Sequence, residues 1–108
     1  MESPFLNIEK IIENENAFAI YDAFPVSKGH VLVIPKRVVA EIFDLNDEEY
    51  SSCFSLVKDV KKILEEKFNP DGFNIGINNG EKAGQTIFHL HLHVLGRKSF
   101  DHADISAI

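Results

Sequence analysis

The sequence has no tryptophan, one cysteine and no apolar run long enough to cross a membrane. One cysteine cannot form an internal disulfide, which favours a reducing compartment. Cys53 lies in a helical pattern, which predicts a small buried side chain rather than a nucleophile. The first residues also lack the basic segment and apolar core of a signal peptide. We therefore expect a cytoplasmic protein that has no membrane partner.

Positive charge is also scarce, since 11 Lys and Arg face 17 Asp and Glu and the formal net charge is −6. Binding to the backbone of DNA or RNA needs clustered basic residues, so this balance argues against a nucleic-acid partner. A small anionic ligand in a local site stays compatible with it. Five cations lie nearest to the motifs described below, although a solvated surface position explains each equally well: Lys28, Lys36, Arg37, Lys82 and Arg97.

A length of 108 residues fits one domain, which we expect to span residues 1–108. The periodicity of apolar residues predicts a short helix at 5–12, a long helix after Leu45, and strands at 17–21, 30–34, 73–78 and 86–95. Asn46 or Asp47 can cap the long helix, and Asn69-Pro70 ends it. Its apolar stripe comprises Tyr50, Cys53, Phe54, Val57, Val60, Leu64 and Phe68. Such elements predict an α+β domain with an antiparallel sheet.

Three of the five histidines alternate with apolar residues in the last predicted strand. Successive side chains of a strand point to opposite faces, so His89, His91 and His93 should share one face while Leu90 and Leu92 point into the core. Chance exposure could explain one such histidine but not three in strict alternation. A metal site is a second reading that stays open, although no nearby carboxylate or cysteine completes a typical ligand set.

Phosphoryl transfer is the third reading, and we favour it. A neutral imidazole can attack phosphorus, and neighbouring imidazoles can donate hydrogen bonds to phosphate oxygens and to the leaving group. The loop ahead of the histidines supports this reading, because Gly84 permits close approach to an anion while Gln85 and Thr86 add polar donors. His30, at the start of another strand, could stand behind the histidine row.

The segment His89-Leu90-His91-Leu92-His93-Val94-Leu95 resembles the signature of the histidine triad (HIT) superfamily of nucleotide-binding proteins. The likeness also covers residues 22–37, including Gly29 to Pro35, and residues 80–97. It implies a five-stranded antiparallel sheet with one long and one short helix, continued across a homodimer interface. It implies no cofactor, and the lack of a cysteine pair near the N-terminus implies no structural metal.

The resemblance also implies a role for each histidine. His91 would attack the α-phosphate and form a covalent nucleotidyl intermediate, while a backbone carbonyl holds its other nitrogen. His93 would bind the α-phosphate and the leaving group, and His89 and His30 would orient the site from behind. The implied nucleotide-binding residues are Asp22 at the ribose; Asn78, Gly84, Gln85 and Thr86 at the phosphates; and Ile20, Ala23 and Leu32, with Phe5 or Ile8, at the purine.

The activity that follows from the resemblance is that of a nucleotide hydrolase or nucleotidyl transferase acting on AMP or a related purine nucleotide. Residues 83–86 resemble the dinucleoside polyphosphate hydrolase branch, whereas residues 95–97 resemble the phosphoramidase branch, so the leaving group stays open. A nucleotide-binding sensor or scaffold with incidental hydrolysis is the alternative, and measured turnover separates the two. A metal-dependent hydrolase is a third possibility, which a chelator tests.

Overall fold

The computed structural model describes residues 3–99 and contains five strands and one long helix. The strands are β1 (Ile12–Glu13), β2 (Ala17–Tyr21), β3 (Gly29–Pro35), β4 (Gly72–Gly76) and β5 (Leu92–Arg97), and the helix α1 is Asp47–Phe68. Two short 3-10 helices lie at Ile42–Asp44 and Glu81–Ala83. The sheet order is β1-β2-β3-β5-β4, and every neighbouring pair is antiparallel. The predicted α+β class with a five-stranded antiparallel sheet is therefore confirmed.

The ends of α1 follow from local sequence. The Asn46 side chain accepts a hydrogen bond from the Glu49 N–H at 2.8 Å, and the Glu49 side chain accepts from the Asn46 N–H, which forms a capping box. Asn69 ends the helix in the left-handed conformation at φ 46°. Within residues 3–99, no helix is both long and apolar enough to span a membrane.

The predicted apolar stripe of α1 needs one correction. Tyr50 and Phe54 are exposed and stack on each other at 5.1 Å between ring centroids, while Glu49 and Leu56 are buried in their place. Arg37 explains how a carboxylate can occupy the buried side. Its guanidinium donates two hydrogen bonds to Glu49, at 2.7 and 2.8 Å, and these hold the Glu49 pKa at about 2.

The two faces of the sheet belong to two apolar clusters. Under α1, Ala19, Val33 and Leu92 pack with Leu56 and Leu64 of the helix. Cys53 is fully buried there, and its burial raises the thiol pKa to about 11, so the predicted structural role of this residue is confirmed. The second cluster lies on the opposite face and consists of Phe5, Phe18, Ile20, Leu32 and Ile34, with Ile87 against it.

The predicted helix at residues 5–12 is wrong. Residues 4–8 form turns, and the chain then enters β1. Phe5 is buried against the sheet while Leu6 and Ile8 are exposed, so the segment presents no continuous apolar face. The Ile11 N–H donates to the Ala19 carbonyl at 2.8 Å, which commits the following residues to strand pairing.

Three predicted strand ranges also change, the first being 30–34, which is Gly29–Pro35 in the structure. The strand predicted at 73–78 is Gly72–Gly76, and the strand predicted at 86–95 is Leu92–Arg97. Residues 86–90 do not pair with β3, because the Leu90 N–H donates to the Val39 carbonyl at 2.7 Å in a loop. The histidine row therefore begins in a loop and ends in β5.

Candidate active site

A cavity of about 320 Å³ opens on the face of the sheet that α1 does not cover. Its volume lies at the lower end of the range for ligand pockets, about 300–1,000 Å³. The walls come from the N-terminal turns, β2, β3, β5 and the loop before the histidines. Twelve of the residues that the sequence assigned to a nucleotide site line it: Phe5, Ile8, Ile20, Asp22, Ala23, His30, Leu32, Asn78, Gly84, Thr86, His91 and His93.

The histidine row shares one face, as predicted. Leu90 and Leu92 lie in the core under α1, whereas His91 and His93 line the cavity on the other side, with ring centroids 5.0 Å apart. Only His93 stands within β5, where it pairs with Leu32 of β3. The alternation thus continues from the loop into the strand.

His91 is held in one orientation by its own backbone. Its Nδ1 lies 2.8 Å from the His89 carbonyl oxygen, and because a carbonyl only accepts, Nδ1 carries the proton. In the neutral form of the ring, the lone pair is therefore on Nε2. The Phe5 ring packs edge-on against the imidazole at 5.2 Å between centroids. His91 is half-buried and lines the cavity, which is the arrangement that a nucleophile requires.

His30 and His93 form a hydrogen-bonded pair behind this position. The Val26 N–H donates to His30 Nδ1 at 3.2 Å, so the proton of a neutral His30 lies on Nε2 and is donated to His93 Nδ1 at 2.8 Å. That leaves the proton of a neutral His93 on Nε2. Burial lowers the pKa of both rings, that of His93 to about 4, although the Asp22 carboxylate offsets part of the shift. His93 is therefore a neutral hydrogen-bond donor at pH 7.

His89 lies outside the cavity and braces the N-terminal turn. Its Nε2 donates to the Pro35 carbonyl at 2.7 Å, and its Nδ1 is hydrogen-bonded to Ser3 Oγ. Ser3 Oγ in turn accepts from the Phe5 N–H. Burial lowers the His89 pKa, so the ring is neutral. The expected role of His89, orienting the site from behind, stays a prediction.

The glycine loop differs from the predicted phosphate cradle. The Gly84 N–H donates to the Glu81 carbonyl at 3.0 Å and the Gln85 N–H to the Gly80 carbonyl at 3.1 Å, so both are used inside the loop. The Gln85 side chain is buried and bonds to Gly80, Ala40 and Ile87. The expectation that Gln85 donates to a phosphate is therefore wrong, since its amide holds the loop together.

Gly84 still has a conformational role. Its φ of +97° is one that residues with a Cβ rarely adopt, and a Cβ there would lie 3.7 Å from the Asn78 amide nitrogen. Glycine thus lets the loop turn tightly beside Asn78. Thr86 follows on the exposed rim and lines the cavity.

The cations proposed from the sequence do not line the cavity. Lys36 pairs with Glu13 at 2.8 Å, Arg37 pairs with Glu49, and the Arg97 Nε donates to Asn74 at 2.9 Å. Among the described residues, neither Lys nor Arg contributes to the cavity wall. An anion there would be bound by imidazole and other neutral donors.

The sequence-based argument that no carboxylate lies near the histidines is wrong. Asp22 Oδ2 lies 3.3 Å from His30 Nε2. Ligand atoms of Asp22, His30 and His93 all lie within 4.8 Å of one another, so these three residues could hold a metal ion. Asp22 follows β2 and is far from the histidine run in sequence, and the antiparallel pairings of β2 with β3 and of β3 with β5 bring it close.

Sequence reasoning missed several residues of the cavity wall. Pro4, Tyr21, Phe24, Val26 and Ile87 all line it. Phe24 and Val26 belong to the loop between β2 and β3, and their place beside His30 was a possible signal. Ile87 precedes the histidine run on the same side of the chain and packs against the second cluster.

A family model described as HIT domain matches residues 6–100. The chain belongs to the HIT domain family. The histidine run of this HIT domain is His89, His91 and His93, of which His91 lines the cavity and His93 lies in β5.

Named relatives and solved structures agree with this assignment. The chain is 41% identical to a bis(5'-adenosyl)-triphosphatase of Dictyostelium discoideum, over 86% of this chain and 62% of that protein. It is 41% identical to an asymmetrical bis(5'-nucleosyl)-tetraphosphatase of Schizosaccharomyces pombe, over 74% of this chain and 44% of that protein. A crystal structure of a HIT family protein from Bacillus anthracis superposes with a TM-score of 0.81 at 46% identity, covering 86% of this chain and 66% of that one. The chain thus spans about three fifths of the length of several curated relatives.

Proposed function

We propose that this HIT domain is a nucleotide hydrolase that cleaves at the α-phosphate of dinucleoside polyphosphates or nucleoside phosphoramidates. The observation that carries the proposal is the state of His91. Its Nδ1–H is fixed on the His89 carbonyl, and its Nε2 lone pair belongs to a ring that lines the cavity. The names of two relatives, a triphosphatase and a tetraphosphatase, support the same class of substrate.

In the first step, the His91 Nε2 lone pair forms a bond to the α-phosphorus. The bond from phosphorus to the leaving oxygen or nitrogen breaks, and its electron pair goes to the leaving group. The imidazole gains positive charge, which the His89 carbonyl stabilises through Nδ1–H. The His93 Nε2–H donates a hydrogen bond to the leaving atom or to a phosphate oxygen, and an amine leaving group takes its further proton from solvent.

In the second step, water attacks the same phosphorus. The P–N bond breaks and its electron pair returns to Nε2, which regenerates neutral His91. The proton lost by water goes to solvent, and a nucleoside monophosphate is released. A phosphorylated imidazole suits this step because the charged ring is a good leaving group.

Three parts of the cavity wall suit the three parts of the proposed nucleotide. Ile20 and Leu32 belong to the buried cluster on this face and give the purine an apolar wall, with Ala23 at its edge. Asp22 accepts at the ribose hydroxyls, since a carboxylate has about four acceptor positions and the structure uses only part of them. Asn78 and Thr86 contact the phosphates.

Intact-protein mass spectrometry after brief mixing with diadenosine tetraphosphate tests the mechanism. We expect a mass increase of one adenylyl group in the wild type and none in His91→Ala. Phe43→Ala, which changes an exposed ring outside the cavity wall, is the control and should be labelled like the wild type. Labelling of His91→Ala would refute the assignment. Tight AMP binding with negligible turnover of either substrate would favour a nucleotide sensor.

The Asp22, His30 and His93 set allows a second check. Activity that survives exhaustive treatment with a chelator supports direct attack by His91. Activity that a chelator abolishes and zinc restores would instead make this set a catalytic metal site.

We also propose a homodimer in which two sheets join along β4. This strand is an edge of the sheet, and Ile75 at its centre is 50% exposed. The exposed Tyr50 and Phe54 stack adds apolar surface on the α1 layer. Ile75→Lys should convert a dimer to a monomer in light scattering, and a wild type that is monomeric at micromolar concentration would contradict the proposal. The cytoplasmic location stays a prediction.

A further inference from the structure

Phe24 is the most exposed large apolar residue among residues 3–99. It has 86% of its surface exposed, and it lines the mouth of the cavity. Single exposed apolar residues are common on protein surfaces. Phe43, for instance, is 82% exposed without lining the cavity. Phe24 differs because its bare aromatic face stands next to the site where the chemistry occurs.

The loop that carries Phe24 is attached to the catalytic histidines. The Phe24 N–H donates to Asp22 Oδ1 at 2.9 Å, and the other oxygen of that carboxylate lies 3.3 Å from His30 Nε2. Two residues further on, the Val26 N–H donates to His30 Nδ1. These contacts tie both sides of Phe24 to the His30–His93 pair, which is the leaving-group side of the proposed reaction.

The cavity has a separate apolar wall for the first nucleotide. Phe5, Ile20 and Leu32 form that wall as members of the buried cluster, and Phe24 does not belong to the cluster. A volume of about 320 Å³ has room for one nucleotide. The second nucleotide of a dinucleoside polyphosphate must then lie outside, at the mouth.

We propose that Phe24 forms an external subsite that stacks on the base of the leaving nucleotide and so selects dinucleoside polyphosphates over substrates with a small amine leaving group. The inference rests on the proposed hydrolase function and adds its leaving-group class. Stacking on an aromatic ring suits a nucleobase of any sequence, because every base has a flat π face. The subsite needs no cation, in keeping with a cavity wall to which neither Lys nor Arg of residues 3–99 contributes.

The test is the ratio of kcat/KM for diadenosine tetraphosphate to kcat/KM for adenosine 5'-phosphoramidate. Phe24→Ala and Phe24→Leu should lower this ratio by roughly 5- to 150-fold, the range measured for loss of one base–aromatic stack. Phe24→Tyr keeps the ring and should keep the ratio. Phe43→Ala removes an equally exposed ring elsewhere and should leave both rate constants unchanged.

An equal loss on both substrates would overturn the proposal, because it would place the ring against the first nucleotide or assign it to loop structure. An unchanged ratio in Phe24→Ala would overturn it as well. If the wild type hydrolyses neither compound, the proposed function fails, and calorimetry then decides the subsite alone. In that case the wild type should bind diadenosine tetraphosphate more tightly than AMP and Phe24→Ala should lose the difference, whereas equal affinities in the wild type would refute the subsite.

Discussion

Under α1 the strands bury only small and aliphatic residues, such as Ala19, Val33 and Leu92, whereas the opposite face buries His30 and His93 among its apolar side chains. Burial of the first kind stabilises the fold in proportion to the apolar surface removed from water. Burial of an imidazole costs free energy unless each nitrogen finds a partner. The face under α1 therefore serves stability, whereas the histidine face carries the groups of the proposed reaction at some cost in stability.

The histidine face limits its cost by fixing every tautomer. Three of the four rings lie against a partner that can only donate or only accept, namely the Val26 N–H for His30, the Pro35 carbonyl for His89 and the His89 carbonyl for His91. The fixed His30 in turn sets the tautomer of a neutral His93 through the hydrogen bond between the two rings. The same contacts decide which nitrogen faces the cavity. The hydrogen bonds that satisfy the buried imidazoles therefore also orient them toward the cavity.

The largest expected effect is on catalysis. His91→Ala should lower kcat/KM for diadenosine tetraphosphate by at least about 10³-fold, because it removes the proposed nucleophile. The thermal midpoint should hardly move, since the ring is half-buried and its hydrogen bond is to a neighbouring backbone carbonyl. Steady-state kinetics and thermal unfolding of one preparation measure both. Wild-type rates in a correctly folded variant would remove the distinction between the faces.

A substitution under α1 should have the opposite effect, a loss of stability without a loss of catalysis. Leu64 is fully buried, and Leu64→Ala should reduce the free energy of unfolding by about 2–5 kcal/mol through lost transfer free energy and a cavity. Lys62→Ala, on the exposed side of the same helix, should change it by less than about 0.5 kcal/mol. Denaturant titration gives these values. We expect kcat of folded Leu64→Ala to stay near that of the wild type, and a catalytic loss as large as that of His91→Ala would contradict the separation.

The two regions should also respond to different ranges of pH. Burial lowers the pKa of His93 from its ordinary 6.5 to about 4, so the unfolded chain binds more protons in this interval and the free energy of unfolding falls as the pH drops from 6.5 to 4. Arg37 lowers the Glu49 pKa from 4.5 to about 2, which places its loss between pH 4.5 and 2.

Stability measured against pH in two variants tests this assignment. His93→Gln should reduce the slope of the profile between pH 6.5 and 4, to which the buried His30 and His89 also contribute. Glu49→Gln should reduce the slope only below pH 4.5. Flattening in the same range by both variants would show that the profile does not report the two sites separately.

The sequence predicted the elements that have strong local signals. Asn46 and Asn69 mark the ends of α1, and the alternation around His91 placed three imidazoles on one face even though only His93 lies in a strand. These features depend on residues close together in the chain. The fold class follows from them.

What the sequence did not predict depends on distant contacts. Phe5 packs on His91 and does not belong to the helix predicted at 5–12. Asp22 reaches His30 only because β2 pairs with β3. Gln85 has the chemistry of a phosphate ligand, but Ala40, which lies 45 residues earlier in the chain, takes one of its donors. Periodicity predicts on which face of the sheet a side chain lies, but it does not predict which distant residue that side chain contacts.

The smallest expected effect separates strain from function within one loop. Gly80 and Gly84 both have positive φ, +92° and +97°, and a Cβ would meet ordinary contacts or open space at both. Gly84 has ψ 7°, in the left-handed region, so Gly84→Ala should cost ~1–2 kcal/mol of backbone strain in chemical denaturation. Gly80 has ψ 151°, in a region that is essentially restricted to glycine, so Gly80→Ala should cost at least as much, about 1–3 kcal/mol. Only Gly84 lines the cavity and touches Asn78, so only Gly84→Ala should also lower kcat/KM, by several-fold.

Gly72→Ala, at a position without positive φ or close atoms, controls for added side-chain volume. Equal catalytic losses at 80 and 84 would mean that loop stability alone governs turnover, whereas a loss confined to 84 would place Gly84 among the groups that position the phosphates.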